Sequence, residues 1–236
     1  MGIIPIIRTV ALLASIPFTL AIDKVSDPVK NQELKDSATT LVRHSHLNSS
    51  DWVYDFNTAI PLPEVAYKPG SVKNANAATF PVLTDLGMTI SQLNLGPCAM
   101  LPPHLHPRAT NLVLSISGNT TTYMWNENGV NLVQTEMTPG KVTVFPRGSL
   151  HAMQNNGCDN AYLVSALNSE DTGTLNILNG LWSMPQDMVR AAFGNANIDV
   201  SDLSHKIPDP GTGSVLGSAE CIDRCKLDSH NRRKGR

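Results

Sequence analysis

The chain has 236 residues, of which 41% are hydrophobic and 16% charged, and its formal net charge is −2 at pH 7. This length and hydrophobic content are enough for one domain with a buried core. The charge balance provides no basic surface and argues against a nucleic-acid-binding protein. A basic cluster at 232–236 ends the chain and is interpreted as a solvated tail.

The first 21 residues have the pattern of a secretory signal peptide. Arg8 supplies a positive charge, Val10–Ala21 is mostly apolar, and Thr19-Leu20-Ala21 offers a small-residue cleavage site. A membrane anchor or a buried strand is the alternative, but the segment is short for a bilayer span and contains Pro17. We therefore predict a secreted, extracellular or secretory-pathway protein with no membrane attachment after signal removal.

Residues 22–50 are polar and predict a short helix or a mobile arm ahead of the main domain. His44 and His46 form an H-x-H pair there, but no further ligands flank them, so we interpret the segment as exposed. Two N-x-S/T sequons, at Asn48 and Asn119, predict glycosylation in a secreted chain.

From Trp52 onward, short apolar runs alternate with Gly, Pro and Asn turn signals, among them the hairpin signal Asn128-Gly129. Such runs predict β-strands. The predicted strands are 79–86, 88–95, 112–117, 120–125, 130–134, 141–145 and 161–167. Many short strands with regular turns predict an all-β fold, an antiparallel barrel or jelly roll.

The pattern changes after Asn168, where capping and turn residues predict helices at 186–193 and 201–205. The predicted apolar face of the first helix consists of Met188, Ala191 and Ala192. Residues 208–218 are rich in Pro, Gly and Ser and predict a linker. The expected organisation is a signal at 1–21, an arm at 22–50, the barrel with a C-terminal helix at 51–200, and a linker with a cysteine-bearing basic tail at 201–236.

Four residues near the middle of the chain carry the strongest functional signal: His104, His106, Asn111 and His151. His104 and His106 are two residues apart, so on a β-strand their side chains point to the same face. Asn111 follows five residues later, and His151 returns on a distant strand. Three imidazoles and one oxygen ligand that converge inside a barrel predict a site for a divalent first-row metal.

The spacing of these residues matches the two sequence motifs of the cupin superfamily. The first motif is kept at the H-x-H pair, position 111 and Gly118, and the second at Gly140, Pro146, Gly148, His151 and Asn155. The run P-P-H-L-H-P-R-A-T closely resembles germins and the secreted spherulin-like cupins, over roughly residues 50–200. In that family the run's arginine, Arg108 here, is interpreted as part of a structural ion pair.

This resemblance implies a cupin double-stranded β-helix, a jelly-roll barrel with a few C-terminal α-helices. It implies one divalent transition metal per chain, with Mn as the first expectation and Fe, Cu, Ni or Zn as alternatives. A metal-free barrel with inherited histidines remains the opposing interpretation. It also implies a homo-oligomer, a dimer, trimer or hexamer, because the C-terminal helices of germin-like proteins pack against a neighbouring subunit.

Three positions depart from the family pattern. Asn111 stands where the family has a glutamate, Cys98 where a glycine opens the first motif, and Leu101 where oxalate-oxidising germins carry a substrate-binding asparagine. A neutral amide in place of a carboxylate raises the charge of the site by one unit. We expect weaker metal binding, a higher reduction potential and stronger attraction for an anionic substrate that binds the metal directly.

The four cysteines predict two disulfides in a secreted chain, with three possible connectivities. Cys98 opens the first motif and Cys158 follows the second, so the barrel can bring them together. Cys221 and Cys225 are at helical spacing. We therefore expect the pairs Cys98–Cys158 and Cys221–Cys225, with a metal site that includes His230 as the alternative for the second pair.

Apolar residues flank the expected ligands and predict the walls of a substrate pocket: Met100, Leu101 and Met153. They favour a partly hydrophobic substrate over oxalate, although Met and Leu on strands are more often core. The leading hypothesis is a metal-dependent oxidoreductase, of dioxygenase or oxidase type, that acts on a small phenolic or polyketide-like molecule. The alternatives are a non-catalytic storage, wall-associated or binding protein, and oxalate oxidase, oxalate decarboxylase or superoxide dismutase activity.

Overall fold

The structure is a computed structural model that describes residues 25–59, 69–194, 199–208 and 213–227. The predicted signal peptide and the basic cluster lie outside the described residues. The strands are β1 Gly70–Ala75, β2 Thr89–Leu95, β3 Ala99–Leu105, β4 Asn111–Ser117, β5 Thr120–Trp125, β6 Val133–Met137, β7 Val142–Phe145, β8 Leu150–Asn155, β9 Ala161–Leu167, β10 Leu175–Asn176 and β11 Val215–Leu216. The α-helices are α1 Pro28–Lys35, α2 Thr40–Ser45, α3 Ile177–Trp182, α4 Gln186–Ala192, α5 Val200–Ser204 and α6 Ala219–Arg224.

Two antiparallel sheets face each other and form the jelly-roll barrel that the sequence predicts. The five-stranded sheet has the order β1-β2-β9-β4-β7. The six-stranded sheet has the order β10-β3-β8-β5-β6, with β11 paired beside β3. Side chains alternate between buried and exposed along β4 and β9, as expected for strands with one face on a core. The buried core between the sheets consists of Leu93, Leu95, Ala99, Leu101, Val113, Phe145, Met153, Ala161 and Leu163.

The polar arm is helical and attached to the barrel. Helix α1 begins after Asp27, whose side chain accepts a hydrogen bond from the Lys30 amide. Asn31 Nδ2 donates to the Ala77 carbonyl at 2.8 Å, and Arg43 Nη2 donates to the Val82 carbonyl at 2.7 Å. These bonds hold α1 and α2 against the segment that leads into β2.

That segment, 79–86, is not the strand predicted from its apolar residues. It forms turns and a 3₁₀-helix at Pro81–Leu83. Asn76 Oδ1 accepts hydrogen bonds from the amides of Ala78 and Thr79, and Thr84 Oγ1 donates back to the Pro81 carbonyl. Local side-chain hydrogen bonds and a proline without an amide proton favour a turn over a sheet ladder here.

Two further predictions needed correction. The strand expected at 130–134 is Val133–Met137 instead, because the loop after β5 is longer than a tight hairpin and Trp125 Nε1 donates to the Val130 carbonyl within it. On α4 the buried side chain is Val189, whereas Met188 of the predicted apolar face is 58% exposed. Contacts with α3 and α5, and not the helix's own pattern, decide which face of α4 is covered.

The tail is stapled to the barrel by two disulfides, but the predicted pairing was wrong. The bonds are Cys98–Cys221 and Cys158–Cys225, with Cα–Cα distances of 5.7 and 5.3 Å. Helix α6 lies against the end of the barrel and buries Ile222 there. Its two cysteines share one face and point side by side, so each reaches a different barrel cysteine instead of the other.

The segment before α6 also belongs to the barrel. Within the described part of the predicted linker, Val215 pairs with Met100 and Leu216 with Ala99. Gln154 Oε1 then accepts a hydrogen bond from the Ser218 amide at 2.7 Å, which places the start of α6. Among the described residues, no helix is long and apolar enough to cross a membrane.

Candidate metal centre

Three histidines meet at one end of the barrel interior. His104 on β3 is paired directly with His151 on β8, and His106 follows the end of β3. A register irregularity between Leu101 and His104 changes the direction in which the side chains at this end of β3 point. Ring centroids are 4.3 Å apart for His104 and His151, 5.2 Å for His104 and His106, and 5.3 Å for His106 and His151. Ring nitrogens of all three lie within 4.8 Å of one another, so the triad could bind a metal ion.

Each imidazole is oriented by a backbone carbonyl. Because a carbonyl only accepts hydrogen bonds, each Nδ1 carries the proton and each neutral ring keeps the lone pair on Nε2. The acceptors are Pro102 O for His104 at 2.7 Å, Gly173 O for His106 at 2.7 Å and Ser149 O for His151 at 2.9 Å. His151 Nε2 is buried and has no hydrogen-bond partner in the described structure. This is the arrangement that metal-ligating histidines adopt.

Asn111 opens β4 and pairs with Phe145 on one side and Leu167 on the other. It is 4% exposed, and its Oδ1 atom is buried with no hydrogen-bond partner among the described residues. A buried amide oxygen without a partner is unfavourable by about 1–3 kcal/mol. A cation in the cavity would remove that penalty. Asn111 lines the same cavity as His104 and His106 and could supply an oxygen ligand there.

Burial keeps the three rings neutral. It lowers the pKa of His104 well below the usual imidazole value, with the neighbouring His151 and His106 adding to the effect. Burial likewise lowers the pKa of His106, and it lowers the pKa of His151 to about 4. A neutral imidazole is the form that binds a metal, so protons do not compete for these nitrogens at neutral pH.

His104 and His106 line a cavity of about 1020 Å³ that extends from the barrel interior to its mouth, where α1 and the loop at 170–174 also line it. Of the residues expected to form substrate-pocket walls, Leu101 and Met153 line this cavity and Met100 does not. Adjacent strand residues point to opposite faces, and Met100 lies beside Gln154 on the other side of the sheet. The predicted ion pair of Arg108 is present: its Nη2 atom lies 2.7 Å from Asp171 Oδ1 on the exposed surface.

Sequence reasoning missed two features of this site. Phe145 packs flat against His151, and it could have been noticed because it lies within the second motif. The loop that carries Gly173 has no sequence signal, since only its backbone carbonyl is used. In the first motif, Cys98 adopts the left-handed conformation at φ 53°, which favours the glycine found there in the family.

The family model named Cupin matches residues 56–200, more than half of the chain. The chain belongs to the cupin family. Spherulin-1A of Physarum polycephalum is 26% identical over 194 residues, which cover 82% of this cupin and 77% of the relative. Germin-like protein 5-1 of Oryza sativa subsp. japonica is 32% identical over 140 residues, which cover 58% of this cupin and 63% of the relative. It is thus a germin- and spherulin-like cupin.

A solved structure of oxalate oxidase shares the fold of this cupin. The TM-score is 0.55 at 22% sequence identity, and the match covers 67% of this chain and 83% of the oxalate oxidase. At this identity the likeness establishes the architecture, and the chemistry has to be argued from the residues of the site.

Proposed function

We propose that this cupin binds one divalent transition metal and is a metal-dependent oxidoreductase, of dioxygenase or oxidase type, for a small phenolic or polyketide-like molecule. The ligands are His104, His106, His151 and Asn111. The observation that carries this proposal is the convergence of three carbonyl-anchored imidazoles beside an unpartnered amide oxygen. Manganese is the first expectation, with Fe, Cu, Ni or Zn as alternatives. When bound, the metal would supply Lewis-acid and redox chemistry.

The cavity supports a substrate with an apolar body. Its volume is at the upper end of the range for small-molecule sites, and apolar side chains from both sheets contribute to its walls. The charged residues along it are exposed or half-buried, away from the interior: Lys35, Arg108, Glu170 and Asp171. A small dianion such as oxalate therefore meets no buried lysine or arginine among the described residues. A phenol or enol can instead pack its carbon skeleton on Leu101 and Met153.

The neutral ligand set supports chelation through ionised oxygen. Three imidazoles and an amide leave the charge of a divalent cation uncompensated, whereas a carboxylate would cancel part of it. A phenolate or enolate oxygen supplies that missing negative charge. Asn111 thereby favours a substrate that is deprotonated at the site.

Elemental mass spectrometry of protein secreted from a eukaryotic host and purified without a histidine tag tests the metal centre. We expect about one transition metal per chain, lost in His104→Ala and in His151→Ala. His44→Ala is the matched control, because His44 stacks on Trp52 outside the barrel. Oxygen uptake with phenolic compounds, measured on metal-loaded and metal-free protein, then tests the activity. Equal uptake by the two forms would contradict it.

A second candidate function is a non-catalytic binding or storage protein. It is favoured by Asn111 in place of the family's carboxylate. The same measurement separates the two functions: no metal after incubation with each ion would support a scaffold role and leave the buried histidines structural.

The expected secretion is supported by the disulfides. All four cysteines are paired, as is typical of proteins from oxidising compartments. The two sequons are compatible with glycans. Asn119 is exposed in the turn between β4 and β5, and Asn48 is exposed where it caps a 3₁₀-helix at Ser49–Trp52. Intact-mass spectrometry before and after glycosidase treatment tests both sites.

The outer face of the five-stranded sheet supports the expected homo-oligomer. Outward positions on β2, β9, β4 and β7 carry no charged residue. The exposed apolar side chains on this outer face are Ile90, Leu112, Ile116, Val142, Val144 and Tyr162. Apolar surface of this kind marks an interface, and the uncharged part of this face, on β2, β9, β4 and β7, can meet a second copy of itself about a two-fold axis without like-charge repulsion. Lys73 on β1 lies at the edge of the face and is buried.

A further inference from the structure

Inside the cavity, the five-stranded sheet presents two serine hydroxyls that the proposed metal centre does not use. Ser91 on β2 and Ser165 on β9 are directly opposite each other in the antiparallel register, and both line the cavity. They are buried, with 5% and 3% of their surface exposed. Opposed residues on one face of a sheet hold their Cβ atoms about 5 Å apart, so a single ligand group can contact both hydroxyls.

The hydrogen-bonding capacity of the two serines is complementary. Ser91 Oγ donates its proton to Asn74 Oδ1 at 2.6 Å, which leaves its lone pairs as acceptors. Ser165 Oγ has no hydrogen-bond partner among the described residues, although the residue is almost fully buried. Its hydroxyl lines the cavity and is therefore accessible to a ligand group. One serine thus accepts and the other can donate, and a hydroxyl is the ligand group that satisfies both.

The serine pair lies one step along the sheet from the metal centre. Asn111 pairs with Leu167, which is two residues from Ser165 on the same strand and the same face. Diagonal neighbours on a sheet face are roughly 7–8 Å apart, about the span of a substituted aromatic ring. Leu101 and Met153 line the same cavity from the opposite sheet. An aromatic ring chelated at the metal can therefore rest on these apolar side chains and extend toward the serines.

We propose that Ser91 and Ser165 form a second subsite that binds a distal hydroxyl of the metal-chelated ligand. Ser165 donates to the distal oxygen, and Ser91 accepts the proton of that hydroxyl. The subsite rests on the proposed function, because chelation at the histidines fixes the other end of the ligand. It narrows the substrate class to phenols that carry, besides the chelating oxygens, a further hydroxyl about one ring away.

The test compares two catechols of nearly equal shape, hydroxymethyl catechol and ethyl catechol, each substituted para to one phenolic oxygen. The protein is loaded with Zn²⁺, which does not change oxidation state, so binding is measured without turnover. Isothermal titration calorimetry gives the two dissociation constants. We expect hydroxymethyl catechol to bind about tenfold more tightly, as expected for one or two buried hydrogen bonds.

Alanine variants assign that preference to the serines. Ser165→Ala and Ser91→Ala should each bring the two dissociation constants to within about twofold of each other. Ser115→Ala is the control: Ser115 lies on the same inner face of the sheet and its residue is as buried as the two serines, but it does not line the cavity. Zinc content and circular dichroism establish that each variant is folded and loaded.

Each failure has a distinct meaning. Equal binding of the two catechols by the unmodified protein overturns the subsite and leaves the metal centre in place. A tenfold preference that survives in both serine variants also overturns it. Binding of neither catechol by the zinc-loaded protein contradicts the proposed substrate class itself, and the subsite falls with it.

Discussion

Phe145 and His151 lie face to face, with ring centroids 4.2 Å apart and ring planes inclined by 10°. Phe145 is 1% exposed and is the residue opposite Asn111 in the pairing of β4 with β7. One aromatic residue therefore neighbours two of the four proposed ligands. The stack fixes the plane of the imidazole while the Ser149 carbonyl fixes its rotation. It also removes water from one face of the ring, which contributes to the burial that lowers the pKa of His151.

The metal-free protein should lose stability in mild acid. Burial holds the pKa of His151 at about 4, whereas an imidazole in the unfolded chain takes up a proton near pH 6.5. Between these values the unfolded state binds more protons, so the free energy of unfolding falls as the pH is lowered from about 6.5 to 4. His151 alone accounts for a fall on the order of 3 kcal/mol.

Chemical denaturation of metal-free protein at several pH values measures this fall. His151→Leu should make the fall smaller, because one of the three buried histidines that take up a proton more readily in the unfolded state is gone, while His104 and His106 remain. His44→Leu, which removes a histidine outside the barrel, is the control variant. A free energy of unfolding that is constant from pH 7 to pH 4.5 would contradict the burial of neutral histidines.

Asn111→Glu should strengthen metal binding by at least about tenfold, because it adds a negative charge at the position of the unpartnered Oδ1 atom. Competition with a fluorescent chelator measures the dissociation constant. Asn94→Asp is the control, since Asn94 Oδ1 is also buried and unpartnered in the described structure but lies on the outward side of β2. An unchanged constant for Asn111→Glu would mean that residue 111 does not face the metal.

The disulfide connectivity can be read from peptides. Proteolysis without reduction should release one peptide pair that contains Cys98 and Cys221 and another that contains Cys158 and Cys225. Cys221→Ser should lower the free energy of unfolding by about 4 kcal/mol, because it opens a loop of 123 residues. A peptide pair that joins Cys98 to Cys158 would show that α6 is not docked as described.

Leu112→Lys should convert the expected oligomer to a smaller species. Leu112 is 49% exposed and pairs with Val144 and Ala166 at the centre of the uncharged outer face. A charge there would be buried without a partner in the interface. Light scattering coupled to size-exclusion chromatography measures the mass. Val29→Lys is the control, because it also replaces an exposed apolar side chain with lysine but lies on α1, and it should leave the mass unchanged. Equal masses for the two variants would place the interface elsewhere.

Strands β2, β4, β5, β7 and β9 and the histidine cluster could be predicted from local sequence, whereas β1, β3 and β8 were not assigned ranges. The boundaries of β5 and β9 agree with the predictions to the residue, because runs of β-branched, aromatic and apolar residues between turn residues are local signals. The H-x-H pair and the return of His151 follow from motif spacing. The strand prediction failed at Pro81–Leu83, where local hydrogen bonds favour a turn although the residues are apolar. It was displaced at β6, because the sequence does not indicate how long the preceding loop is.

By itself the sequence determined the fold class, the three histidines that meet and the presence of two disulfides, because these depend on periodicity, on motif spacing and on an even number of cysteines. Only the tertiary structure decided which cysteines pair, which carbonyls orient the imidazoles and which serines face the cavity. Those relationships join residues far apart in the chain, such as Cys98 with Cys221 and His106 with Gly173. They form when the strands and α6 pack together, and the spacing of residues along the chain does not predict that packing.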